Sequence, residues 1–164
     1  YFKYLFFFYN NNIFHIKKKI TSSKYKSLSE PLISFNKTFA QYNNFYNFFV
    51  KIDIEGSEYR VLDDLIRNKN KITGIVIEFH DTDLNMNKII EFLDSLNNFY
   101  VVHIHGCNFG ELDEEENPTV LELTLANKKF LEKFNLLENN KKYPIKNLDF
   151  PNNKYFNDLN ISFL

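Results

Sequence analysis

Special residues are scarce in this chain: one cysteine, no tryptophan, four glycines, four prolines and one methionine among 164 residues. With Cys107 alone, no intramolecular disulfide can form and no cysteine-based zinc site can be assembled. A reducing, cytoplasmic setting fits that usage. The glycines are Gly56, Gly74, Gly106 and Gly110, so no glycine-rich turn lies within residues 1 to 55. An excess of charge of either sign is missing too. Twenty basic residues face 21 acidic ones for a net charge of −1, which excludes the basic footprint of a nucleic-acid binder. No apolar run is long enough to span a bilayer. The opening stretch Tyr1 to Tyr9 is stopped by Asn10, Asn11 and Asn12, whereas a spanning helix needs roughly 20 apolar residues. No small-residue cleavage site follows it, so a buried strand is the expected fate of this run.

What is present suits one folded domain. A hydrophobic share of 44% can supply a core, and 25% charged residues argue against disorder. The 19 Phe and 10 Tyr, with runs of Asn, Lys and Ile, read as compositional bias rather than function. No internal repeat occurs. Lys17 to Lys37, rich in Lys, Ser and Thr, reads as loop.

From Phe48 the pattern becomes regular. Phe48–Ile54 is a compact apolar run that predicts a buried strand. Gly56 and the neighbourhood of Ser57 then open a helix with Val61, Leu62, Leu65 and Ile66 on one stripe. Gly74–Phe79 predicts the next strand. Asp81, Thr82 and Asp83 offer caps for a helix carrying Ile89, Ile90, Leu93 and Leu96, which Asn97 and Asn98 end. Phe99–Ile104 is a third strand. This alternation predicts crossover units and parallel pairing. Val120–Leu125, and Leu159, Ile161 and Phe163, alternate apolar with polar and add strands with one less-buried face. The expected architecture is α/β, a mixed, mostly parallel sheet flanked by helices.

In open α/β sheets ligands bind beyond the carboxyl ends of the parallel strands, so the polar residues there carry the weight. The first strand ends in Asp53-Ile54-Glu55-Gly56-Ser57-Glu58. Three carboxylates within six residues repel unless water, a cation or a polar ligand intervenes. Gly56 permits a tight turn. The plainer reading is that Glu55 and Glu58 favour the positive end of the helix. The second strand ends in Glu78-Phe79-His80-Asp81, readable as a helix cap with a solvated histidine or as part of a site. After the third come His103, His105, Gly106, Cys107, Asn108 and Gly110, a loop composition that suits a ligand. His103 and His105 share one strand face, a spacing used in metal hydrolases but weak alone. Glu111 to Glu116 reads as a solvated loop.

Lys51-Ile52-Asp53-Ile54-Glu55-Gly56-Ser57-Glu58-Tyr59-Arg60-Val61-Leu62 resembles the hallmark segment of FkbM-type methyltransferases. Ile75–His80 is similar to that family's next strand. His103 to Gly110 and Pro118 to Thr124 resemble two later stretches, with Cys107 where Asn is usual, and Pro151-Asn152 also fits. The resemblance runs from Phe48 to Leu164 and implies a partial Rossmann-like, class I methyltransferase fold. It implies transfer of a methyl group from S-adenosylmethionine to a hydroxyl oxygen of a sugar, glycolipid or similar small acceptor. On that reading Asp53 and His80 are catalytic, assisting deprotonation of the acceptor. Asp53 and Glu55 touch the cofactor, and Glu78, His105 and Asn108 touch the acceptor.

The family binds its cofactor through a glycine-rich turn after the first strand, which this sequence lacks. The expectation is therefore a fragment: residues 1–47 the remnant of an N-terminal part, irregular with some strands, and residues 48–164 the C-terminal part. Such a piece is expected to be inactive alone and to self-associate through an exposed sheet edge. Two rivals stand beside it. One is a degenerate, non-catalytic methyltransferase kept as a scaffold. The other is a metal-dependent hydrolase built on Asp53, Glu55, His80, His103 and His105. No ordered metal motif occurs, and no metal ligand is assigned. A divalent ion assisting a methyltransferase is compatible with the same residues.

Overall fold

The computed structural model describes residues 16–22, 24, 31–132, 134 and 142–161. The opening run Tyr1–Tyr9 and the last residue of the expected terminal strand, Phe163, fall outside these. Two short strands, β1 (Lys19–Thr21) and β2 (Leu32–Ser34), pair in parallel as a separate two-stranded sheet. Helix α1 (Phe35–Gln41) follows directly, its first turn capped by the Ser34 hydroxyl, which accepts from the Lys37 amide at 3.2 Å. Within Lys17 to Lys37, where composition predicts loop, the described residues therefore hold two strands and the start of a helix. Ile33 is buried, and on α1 Phe39 enters the main core, its ring edge-on to Phe48 at 4.8 Å. Three-residue strands give the periodicity too little length to register.

The main sheet holds β3 (Phe48–Ile52), β4 (Ile72–Phe79), β5 (Phe99–Gly106) and β6 (Leu121–Asn127), in the spatial order β3-β4-β6-β5. β3 and β4 pair in parallel, and β6 is antiparallel to both β4 and β5. Three strands thus share one direction, and the last in sequence is inserted among them. Helices α2 (Leu62–Asn68) and α3 (Thr82–Ser95) make the crossings. The fold is Rossmann-like α/β, as the alternation predicts.

Strand alternation sorts the side chains onto two faces. Ile75, Ile77 and Phe79 of β4 and Leu123 and Leu125 of β6 point into the core with Val61 and Leu65 from the α2 region and Ile89, Phe92 and Leu96 from the α3 region. On α3 the buried stripe differs from the expected one: Ile90 is 49% exposed and Phe92 is buried in its place. Ile161 joins Tyr143 in a single antiparallel bridge rather than a strand among the described residues. The outer strands of the described sheet are β3 and β5.

A buried polar cluster ties α1 to α2. Asp64, wholly buried, accepts from Asn36 Nδ2 at 2.9 Å, while Asn68 Nδ2 donates to Asn36 Oδ1 and to the Asp64 carbonyl. The early segment is thereby packed onto the main unit.

Candidate functional site

Because β3, β4 and β5 run in the same direction, their carboxyl ends lie along one edge of the sheet. β3 stops at Ile52, two residues before its apolar run ends. The reason is Glu58, whose Oε1 accepts from the amides of Ile54 (3.0 Å) and Gly56 (3.3 Å) and so replaces the ladder. Ser57, the expected cap, makes no side-chain cap bond. The turn is tight: Glu55 has φ +52° and Gly56 φ +84°. A Cβ at Gly56 would have room, its nearest neighbour being Asp81 Oδ2 at 3.8 Å. Gly56→Ala therefore isolates the backbone preference and is expected to cost about 1 to 2 kcal/mol, read by urea unfolding.

The neighbouring strand β4 leads into His80. Its carbonyl accepts from the Tyr59 hydroxyl at 2.6 Å, and Tyr59 lies against Phe79 with ring centroids 5.6 Å apart. Burial first, then the charges of Glu58, Asp81 and Asp83, raise the Tyr59 pKa, so this hydroxyl stays a donor. The His80 ring sits among three carboxylates. Nε2 is 3.4 Å from Glu55 Oε2 and 4.0 Å from Glu78 Oε1, and Nδ1 is 3.3 Å from Glu58 Oε1. Asp53, at the end of β3, is bridged by Lys51 at 3.2 Å. Asp81 does begin α3, but with φ +50° and no side-chain cap bond. Thr82 anchors this start instead, donating its hydroxyl to the Pro118 carbonyl at 2.7 Å.

Glu78 occupies the sheet face away from the core, paired in register with Glu122, which in turn is paired with His105. Burial raises the Glu78 pKa, and the charges of Asp53 and Glu122 push it further, against the opposing pull of His80 and Lys51. Asp53, Glu78 and Glu122 thus form an acidic row along the edge where ligands bind in such sheets.

The other residues singled out by sequence lie at the far end of this row. His105 is buried, with Nδ1 3.0 Å from Glu122 Oε2 and Nε2 3.0 Å from Asp158 Oδ1. His103 Nε2 is 2.9 Å from the nearly buried Asp149. Asn108 Nδ2 donates to the carbonyls of Asn153, Phe156 and Asn157, and its Oδ1 accepts from the Asn153 amide. His105 and Asn108 therefore hold residues 153–158 against the sheet. The five-residue metal centre read from sequence is not assembled, since His103 and His105 stand apart from the others. Asp53, Glu55 and His80 do converge, each offering a ligand atom within 4.8 Å of the rest. Cys107 is buried, and burial first of all pushes its thiol pKa up, so it is a poor nucleophile.

Sequence reasoning undervalued Glu58. Its role rests on the turn that Glu55 and Gly56 make, which no local spacing announces. Among the described residues, no helix is long and apolar enough to cross a membrane.

A family model described as the methyltransferase FkbM domain matches residues 6–109. No curated protein matches the chain. Among solved structures the chain is similar to one titled "crystal structure of M1.HpyAVI-SAM complex", at 18% identity and a TM-score of 0.37. That match covers 57% of this chain and spans half the length of the other, a likeness too slight to bear on mechanism.

Proposed function

The chain belongs to the methyltransferase FkbM family, and from that premise we propose that it forms the acceptor side of an S-adenosylmethionine-dependent O-methyltransferase. One observation carries the reading: the acidic turn after β3 and His80 after β4 meet at the carboxyl edge of the sheet, beside the row Asp53, Glu78 and Glu122. Polar groups so placed suit the hydroxyls of a sugar, glycolipid or similar small acceptor. The role left to these residues is to orient the hydroxyl and take its proton. Asp53 and His80 are the groups assigned that role. Glu78, whose pKa is raised, is a third acceptor of the proton.

The fit to the cofactor is partial. On the family resemblance Asp53 and Glu55 would touch the donor, yet residues 1 to 55 contain no glycine and so no glycine-rich turn. The rest of a cofactor pocket would have to come from residues beyond these 164, and no transfer step is assigned to this chain alone. The same lack favours a second reading, a non-catalytic member retained as a scaffold. In either case the outer strand β3 offers an edge for association with another chain.

Calorimetric titration of S-adenosylmethionine separates the two, using this chain beside a form extended upstream through adjoining coding sequence. Binding in the extended form alone is the expected result. No binding in either form would leave the scaffold reading standing and remove the enzymatic one.

A further inference from the structure

We infer that Asp53, Glu55 and His80 form a binding site for a divalent cation. Their ligand atoms, all within 4.8 Å of one another, come from the turns that follow two adjacent parallel strands, β3 and β4. Two ligands of one ion, each about 2.0 to 2.2 Å from it, lie no more than about 4.4 Å apart. The gap is closed by rotating one side chain. Glu55, 86% exposed and held over the turn by its positive φ, is free to make that movement.

A separate observation lies beneath the cluster. Glu58 is wholly buried, its Oε1 faces His80 Nδ1 at 3.3 Å, and its Oε2 has no hydrogen-bond partner. His80 Nδ1 is likewise buried, and its alignment with Glu58 falls short of a hydrogen bond. Buried polar atoms left in this state are uncommon and point to a missing charge nearby. A carboxylate against Nδ1 favours the tautomer with its proton there, leaving the Nε2 lone pair to face Glu55. Carboxylate, histidine and metal stand in this order wherever an outer carboxylate orients a ligating imidazole. A cation among Asp53, Glu55 and His80 would engage Nε2, draw Nδ1–H onto Glu58 and offset the repulsion of four carboxylates.

Two carboxylate oxygens and one imidazole nitrogen, open to water on one side, suit Mn2+ or Zn2+ with waters completing the shell. Bound there, the ion would hold an acceptor hydroxyl and lower its pKa. That service rests on the proposed methyl transfer; cation binding itself does not.

Titration of MnCl2 into the full chain, followed by calorimetry and by the electron paramagnetic resonance of free Mn2+, tests the site. Saturable one-to-one binding is expected, weakened about tenfold or more in both Glu55→Gln and Asp53→Asn. Both side chains are at least 37% exposed, so the variants are expected to keep the wild-type unfolding midpoint. Absence of saturable binding at millimolar Mn2+, or equal affinity in the wild type and both variants, overturns the inference. Mn2+ binding without S-adenosylmethionine binding in either form would keep it while removing the methyltransferase reading.

Discussion

Phe79→Ala is expected to remove about 3 to 5 kcal/mol of stability, the usual cost of truncating a buried aromatic and leaving a cavity. Phe79 is wholly buried at the end of β4, edge-on to Phe92 at 6.2 Å and against Tyr59 on its other side. Domains of this size are stable by only about 5 to 15 kcal/mol, so the variant would sit near the limit of folding. Urea unfolding should show a large drop in midpoint with an unchanged slope. Leu84→Ala, at a position 79% exposed on α3, is the matched control and should move stability by about 0.5 kcal/mol or less. The effect reaches the site as well. Tyr59 rests on Phe79 and fixes the backbone of His80, so the cavity loosens the histidine before the fold is lost. If Phe79→Ala behaved like Leu84→Ala, the core described above would be wrong.

The second large effect concerns His105. Burial alone would lower its pKa, but hydrogen bonds to Glu122 and Asp158, and the charges of both, outweigh it and the net shift is upward. A folded-state pKa above the unfolded value of about 6.5 means the protonated histidine stabilises the fold. That contribution is complete below about pH 6.5 and is lost as pH rises through the raised folded value. His105→Ala strands Asp158, only 11% exposed, and is expected to cost about 3 kcal/mol at acid pH, the low end for breaking a buried pair. The gap between wild type and variant should shrink as pH rises towards 9. Measuring the difference at each pH cancels the titrating groups that do not touch His105, leaving its own proton and those of Glu122 and Asp158. A gap that stayed constant from pH 5.5 to 9 would show that His105 carries no charge-dependent stability.

These two residues also show what a sequence can and cannot disclose. β3, β4 and β5 were legible because each is a short, nearly continuous apolar run between turn residues, and α2 and α3 because their apolar positions recur at helical spacing. The acidic turn at Asp53 and Glu55 and its counterpart at His80 were legible for a related reason: parallel strands must end on one edge. β1 and β2 were hidden by their three-residue length among Lys and Ser. The partners of His105 and Asn108 were hidden by distance, since Asp158 and Asn153 lie 53 and 45 residues downstream. Nothing local in the His-x-His segment announces that one ring will clasp a distant carboxylate. Glu58 was hidden because its value lies in accepting two backbone amides, a role no spacing rule marks.

The placement of β6 has a consequence for how the chain is made. β4 and β5 meet only through β6, which leaves the ribosome last of the three. From the completion of Phe79 until Leu121 emerges, the inner edge of β4 has unpaired amides and carbonyls beside Ile75, Ile77 and Phe79. At typical synthesis rates those roughly 40 residues take about 2 to 8 s, ample time for contact with another nascent chain. Every growing copy therefore passes through an interval in which the stickiest strand of its sheet is open, and expression yield should depend on how well chaperones cover it.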